Sequence, residues 1–152
     1  MARSLTVNVR IDGVRETLRA LNKLPKDANN ELRDRMQKLA QVFAVKAKLE
    51  AQTSPTPQAS TVAKTVRARR DRVPVVVAGG TRRLGRRRVP AWKLLFGSEF
   101  GSNQYRQFGV RHQGREGLWF FPTVEAEQKT VQREFDKATS EILARFSGVG
   151  GV

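Results

Sequence analysis

Ten of the 32 residues from Thr61 to Trp92 are basic and only Asp71 is acidic, which places +9 of the chain's +15 net charge in that one stretch. The basic residues are Lys64, Arg67, Arg69, Arg70, Arg72, Arg82, Arg83, Arg86, Arg87 and Arg88. Residues 1–60 carry +5 and residues 93–152 only +1. Charge at this density cannot enter a core, because burying an unpaired ion costs far more than a fold's net stability. The basic side chains of the stretch are therefore expected to point outward, as Arg67 and Arg69 would from a strand that turns Val66 and Ala68 inward. Self-repulsion also disfavours compaction unless something negative lies close by. Arginine fills nearly every basic position, and its planar fork suits bidentate contact with phosphate or carboxylate. An acidic partner is expected, either nucleic acid or an acidic protein surface.

The flanks carry the periodicities a core requires. Ser4 to Ile11 alternates, with Leu5, Val7, Val9 and Ile11 on one face, and predicts a half-buried strand. Asp12-Gly13 ends it, with Asp12 as the expected N-cap of a short helix bearing Val14, Leu18 and Leu21. Pro25 suits the first turn of a long helix over about Lys26–Ala51. Leu32, Met36, Leu39 and Phe43 form one stripe on it, and Val42, Val45 and Leu49 a second beside the first. The second stripe predicts a subunit interface.

Residues 53–61, rich in Pro, Ser and Thr, read as a mobile loop. Val62–Arg69 and Val73–Ala78 read as strands, with Pro74 placing the latter at an edge or at its start. Residues 79–90 read as an arginine loop, Trp92–Phe96 as a helical turn and Tyr105–His112 as a further strand. Pro122-Thr123 opens a final helix with Thr123 as cap, and Val124, Val131, Phe135, Ala138, Ile142 and Phe146 line one face up to a stop at Gly148. Helices segregated from strands define the α+β class: a small antiparallel sheet with a long helix and a C-terminal helix packed on one face. Residues 1–146 form a single domain in this reading, and 147–152 a flexible tail.

Several chemistries find no support. There is no cysteine, and His112 is the single histidine, in a polar loop where a solvated ring is expected. Glu99 and Glu116 could pair as carboxylates, but nothing in the sequence brings them together. Gly79-Gly80-Thr81-Arg82-Arg83-Leu84-Gly85 lacks the Lys-Ser/Thr of a phosphate-cradling loop. No catalytic, metal or cofactor site is expected, and no apolar run reaches the roughly 18–20 residues of a membrane span. In Arg67, Arg69, Arg70, Arg82, Arg83, Arg86, Arg87 and Arg88 the sequence offers contacts for DNA or an acidic protein. Base reading is not expected, because Trp92, Phe96 and Phe100 come after the arginines instead of interleaving with them.

Ala91-Trp92-Lys93-Leu94-Leu95-Phe96-Gly97-Ser98-Glu99-Phe100-Gly101-Ser102, followed by Trp119-Phe120-Phe121-Pro122 and an amphipathic helix, resembles the neck and tail-completion proteins of long-tailed phages. These are the lambda gpZ-like minor tail components of the head–tail connector region. The strand, short helix and long helix over Leu5–Gln52 come in the same order. Read from the residues alone, Glu99-Phe100-Gly101 is a turn whose Phe enters the core, and the Trp119–Phe121 aromatics cover the sheet. The resemblance implies a virion structural protein, not an enzyme, made in the host cytoplasm and placed in the neck or tail. Its expected partners are further copies of itself in a ring, neighbouring connector and tail proteins, and genomic DNA through non-specific contact. A tail-terminator ring protein and a free sequence-independent nucleic-acid-binding protein are the alternatives.

Overall fold

The computed structural model describes residues 4–8, 10–114 and 116–150. Strand β1 (Ser4–Asn8) keeps the predicted alternation at its start, with Leu5 half-buried between exposed Ser4 and Thr6. It pairs antiparallel with β3 (Val75–Gly79), from Ser4 opposite Gly79 to Asn8 opposite Val75. β2 (Arg67–Arg69) pairs with the other side of β3, giving the order β1-β3-β2. β3 is thus the central strand and not an edge. Pro74 is accommodated because it stands just before the strand, where no ladder N–H is needed. Every residue of β3 is buried, as its unbroken Val-Val-Val-Ala-Gly run requires.

Helix α1 (Val14–Asn22) starts from Gly13, not from an Asp12 cap: Gly13 holds a left-handed φ of 75° and no side chain caps the turn. Asp12 is instead held through its backbone, whose N–H donates to Gln132 Oε1 at 2.7 Å. Helix α2 (Lys26–Gln52) begins directly after Pro25 and is the spine of the molecule. It packs on β2 and β3 and against the two C-terminal helices, α5 (Phe120–Ala126) and α6 (Gln128–Gly150). Its buried face combines Leu32, Met36 and Phe43 with Ala28, Ala40, Ala44, Ala47 and Ala51. Those alanines let neighbouring backbones approach closely. α6 supplies the opposing surface with Val131, Phe135, Ala138 and Ile142, all 0% exposed. Ion pairs flank the α2–α6 seam: Arg35–Glu141 at 2.7 Å and Arg145–Glu31 at 2.6 Å. No helix among the described residues is long and apolar enough to cross a membrane.

Residues 53–61, expected as a mobile loop, are folded onto the domain. Thr56 is buried and donates through Oγ1 to the Ser98 carbonyl at 2.6 Å. Ala59–Val62 forms a short helix, α3, continued by a 3-10 turn over Ala63–Thr65, so only the last residues of the expected Val62–Arg69 strand are extended. The expected Tyr105–His112 strand is a loop with a 3-10 turn at Arg106–Phe108. The expected single terminal helix is two, α5 and α6, divided at Glu127. Thr123 lies inside α5 and donates to the Trp119 carbonyl at 2.6 Å, so it does not cap. Helix α6 continues past Gly148 to Gly150; the rest of the expected tail, Gly151 and Val152, lies outside the described residues.

Candidate nucleic-acid interface

The arginine stretch at 79–90 is not an open loop. Arg83–Leu84 (β4) and Val89–Pro90 (β5) pair antiparallel, with Arg83 opposite Pro90 and Leu84 opposite Val89. Gly85-Arg86-Arg87-Arg88 forms the tip, where Gly85 (φ 72°) and Arg88 (φ 52°) take the left-handed conformation that reverses the chain. Glycine adopts this without strain; Arg88 is the one described non-glycine residue that does so. Buried Leu84 pins one strand, and Arg83 Nη1 donates to the Arg88 carbonyl at 2.9 Å across the turn.

The hairpin is joined to the next helix. Helix α4 (Ala91–Phe100) begins at the residue after β5 and is a full ten-residue helix, not the expected single turn. Its first two N–H groups have no partner within the helix and donate instead to the hairpin's base, Ala91 to the Arg82 carbonyl at 2.7 Å and Trp92 to the Gly80 carbonyl at 3.0 Å. Hairpin and helix therefore share one frame.

Glu99 holds the other end of that frame. It stands on the last turn of α4, fully buried, and its carboxylate accepts from the Phe120 N–H at 2.7 Å and the Phe121 N–H at 3.1 Å. The Glu99 carbonyl also accepts from the Leu118 N–H at 2.7 Å. Glu99 thus caps α5 from outside that helix. Burial raises its pKa from the ordinary 4.5 to about 7, against the lowering effect of the backbone N–H groups. Three glycines make room for this clamp: a Cβ on Gly117 would strike Glu99 Oε1, one on Gly101 the Arg111 carbonyl, and one on Gly97 the Phe108 ring. Gly101 also has φ 76°. Around it, Phe100 and Phe121 stand 5.8 Å apart, and Trp119 and Phe120 5.7 Å.

Glu-Phe-Gly and Trp-Phe-Phe-Pro are therefore two halves of one junction. The sequence pattern predicts Phe100 entering the core from a turn; it is Glu99 that is buried, on a helix, while Phe100 is half-buried. Glu116 is exposed. The one signal for Glu99 in the sequence is its isolation as an acid near the end of the apolar run Leu94–Phe100.

The eight arginines singled out in sequence do not form one set. Arg82, Arg83, Arg86, Arg87 and Arg88 are exposed on the hairpin, and none forms an ion pair among the described residues. Arg67 and Arg69 are exposed on the outer row of edge strand β2. Arg70 differs: it is paired with Asp34 of α2. That pair is on the surface, whereas Arg72 is half-buried and donates to Asn22 at 2.6 Å and to Asn29 at 3.1 Å.

Beside the hairpin lies a cleft of about 560 Å³, lined by Arg87, Trp92, Lys93, Phe96, Tyr105 and Phe108 among others. Sequence order sets these aromatics apart from the arginines, but the fold returns them to the same place. Tyr105 is 55% exposed, and Lys93 Nζ sits 5.5 Å from the centre of the Trp92 ring. No sequence period marks Tyr105, because the loop that brings it here is closed by long-range contacts.

The second apolar stripe of α2 is on the outside. Val42, Val45 and Leu49 are 50%, 57% and 58% exposed. Leu49 borders a groove against Pro122 and Ala126, spanned at one side by the Lys46–Glu127 ion pair at 2.6 Å. His112 is exposed, and its Nδ1 accepts from the Gly114 N–H at 3.1 Å. No group of three His, Asp or Glu side chains among the described residues is placed to hold a metal ion. Compared with protein-family models, curated proteins and solved structures, the chain matches none.

Proposed function

We propose that this protein is a structural component of a phage virion neck. It forms a ring of identical subunits that joins or completes the tail at the head–tail connector, around the DNA channel. The observation that carries this reading is a surface with two unmet demands. One is an apolar stripe on α2 that stands in solvent, and the other an arginine hairpin with no ion-pair partner among the described residues. A closed ring satisfies both. Heterologous contacts that repeat by rotation cover the stripe, and the hairpins then line a surface that faces DNA or an acidic neighbour. Covering exposed Val and Leu side chains contributes roughly 25 cal/mol per Å² of apolar surface removed from water.

The Glu99 junction supports the same reading from the sequence side. It gives the Glu-Phe-Gly and Trp-Phe-Phe-Pro motifs a folding role, as suits a component whose work is assembly and not catalysis. Copies made in the host cytoplasm would be built into the neck or tail. A tail-terminator ring is the neighbouring alternative. A free nucleic-acid-binding protein is the alternative from another class, favoured by the aromatic cleft.

Light scattering of the purified chain separates a ring of either kind from the free binder. A ring runs as a higher oligomer, and Val42→Asp with Val45→Asp returns it to a folded monomer, because each buried interface would then hold unpaired charge. A wild-type chain that stays monomeric at high concentration, or a double variant that still assembles, contradicts the ring.

A further inference from the structure

We infer that the cleft between the arginine hairpin and α4 is a binding site for an unpaired nucleotide strand, with bases stacked on Trp92 and Tyr105 and phosphates held by the hairpin guanidiniums. The inference rests on the DNA-facing part of the proposed function and is independent of the neck as the place where it acts.

The cleft brings together two chemistries. Its walls are aromatic, from Trp92 and Phe96 of α4 and from Tyr105 and Phe108 of the loop after it. Its charged lining is basic, from Arg87 and Lys93. The rest of the hairpin adds Arg82, Arg83, Arg86 and Arg88, none of them paired to a carboxylate among the described residues. Two classes of ligand carry the matching negative charge: an acidic peptide and a nucleic acid. An acidic peptide would need clustered carboxylates and, separately, a large apolar anchor. A single strand repeats an anion and a flat ring in every nucleotide, which is the pairing this cleft presents. Stacking on an aromatic side chain is open to any base, so recognition of this kind is independent of sequence. It is closed to a base within a duplex, whose faces are already covered by its neighbours. A volume of about 560 Å³ lies within the ordinary range of sites that enclose a small ring ligand.

The site is also held still. The first turn of α4 is hydrogen-bonded to the hairpin's base at Arg82 and Gly80, Glu99 clamps its last turn to α5, and Phe108 packs against Gly97 where no side chain could fit. The rings that would stack and the arginines that would hold phosphate therefore keep a fixed spacing, so little ordering remains to be done on binding.

The chain contains its own reporter. Of its two tryptophans, Trp119 is 1% exposed and Trp92 lines the cleft, so contact quenching of the fluorescence reports on Trp92. The experiment titrates the full chain with oligothymidylate, with a duplex of matched length, and with polyglutamate. Oligothymidylate should quench, and Tyr105→Ala should weaken its binding about tenfold, the loss of one stacking partner. Tyr105 is exposed, so this variant keeps the fold; Trp92→Leu, read by anisotropy of a labelled strand, should show the same loss. Duplex affinity should change by less than about twofold in both, since phosphate contacts alone hold a duplex here. Duplex binding with no quenching by oligothymidylate, or oligothymidylate binding that ignores both variants, overturns the cleft while leaving the arginine–DNA contact intact. Quenching by polyglutamate equal to that by the strand overturns it in favour of an acidic protein. Failure to bind any nucleic acid overturns the inference and the DNA-facing reading together.

Discussion

Glu99 and the arginine hairpin stand at opposite ends of the same ten-residue helix, and they handle charge in opposite ways. Glu99 is one carboxyl group shut away from solvent. It persists there because two backbone N–H groups of α5 donate to it and the flanking glycines leave it room. The hairpin holds five guanidiniums in solvent, none with an ion-pair partner among the described residues. The interior group is satisfied by its own chain, so removing it should damage folding. The exterior groups look outward for their partner, so removing them should damage only the protein's encounters. Arg70 and Arg72 show the boundary between the two. They belong to the same basic stretch, yet their partners are Asp34, Asn22 and Asn29, and they serve the fold.

The largest effect is expected in the apolar interior that Glu99 adjoins: Phe135→Ala should cost about 3–5 kcal/mol in chemical denaturation, the usual loss for a fully buried phenylalanine. A loss under about 1 kcal/mol would mean that this face of α6 is not core.

Glu99 itself should make stability depend on pH. Its folded pKa of about 7 lies above the ordinary 4.5. Between those values the folded chain holds a proton that the unfolded chain has released, so stability falls as pH rises through this window. The contribution is present in full below about 4.5 and is gone above about 7; the whole span is worth about 3 kcal/mol. Glu99→Gln should abolish this part of the pH dependence, so wild type should lose ground to the variant between about pH 5 and pH 8, by about 2–3 kcal/mol. Parallel stability curves for the two would place the carboxyl in water. Measured at about pH 5, Glu99→Ala should cost about 2 kcal/mol, since both N–H groups of the α5 start would be left without an acceptor. A smaller effect still is expected on the exterior. Val42→Asp with Val45→Asp should change monomer stability by less than about 1 kcal/mol while preventing assembly, because both side chains already face solvent.

How much of this is legible in the sequence depends on how local the cause is. The alternation at Ser4–Asn8 and the stripes of α2 and α6 are repeated local patterns, and they lead to the right elements in the right class. The exposure of Val42, Val45 and Leu49 is legible for the same reason, as apolar residues in excess of one helical face. The Glu99 clamp is not legible, because its partners lie 21 and 22 residues away and the apolar residues around it repeat at no single period. Residues 53–61 look like a linker by composition, but Thr56 finds its acceptor at Ser98, 42 residues on. Tyr105–His112 has strand-forming residues, yet the chain there is spent on returning to α4. Ser102 and Gln113 donate to the Val110 and Phe100 carbonyls at 2.8 Å each, and the segment joins neither sheet. The arginines are plain as a composition, but their division into a hairpin without ion-pair partners among the described residues and two residues, Arg70 and Arg72, bonded to α1 and α2 requires the fold.

The division of labour between buried and exposed charge is tested most directly by replacing Arg82, Arg83, Arg86, Arg87 and Arg88 together with glutamine and measuring stability and DNA affinity on the same preparation. Stability should stay within about 1 kcal/mol of wild type, since exposed charges contribute little to a fold. Duplex affinity should drop, and the slope of its logarithm against log salt should flatten by about 0.9 for each phosphate that the variant no longer neutralises. A variant that loses several kcal/mol of stability, or one that stays folded and binds duplex DNA with the wild-type affinity and salt slope, would contradict the account, for the hairpin would then be part of the scaffold or plain solvated surface and not the surface that meets a partner.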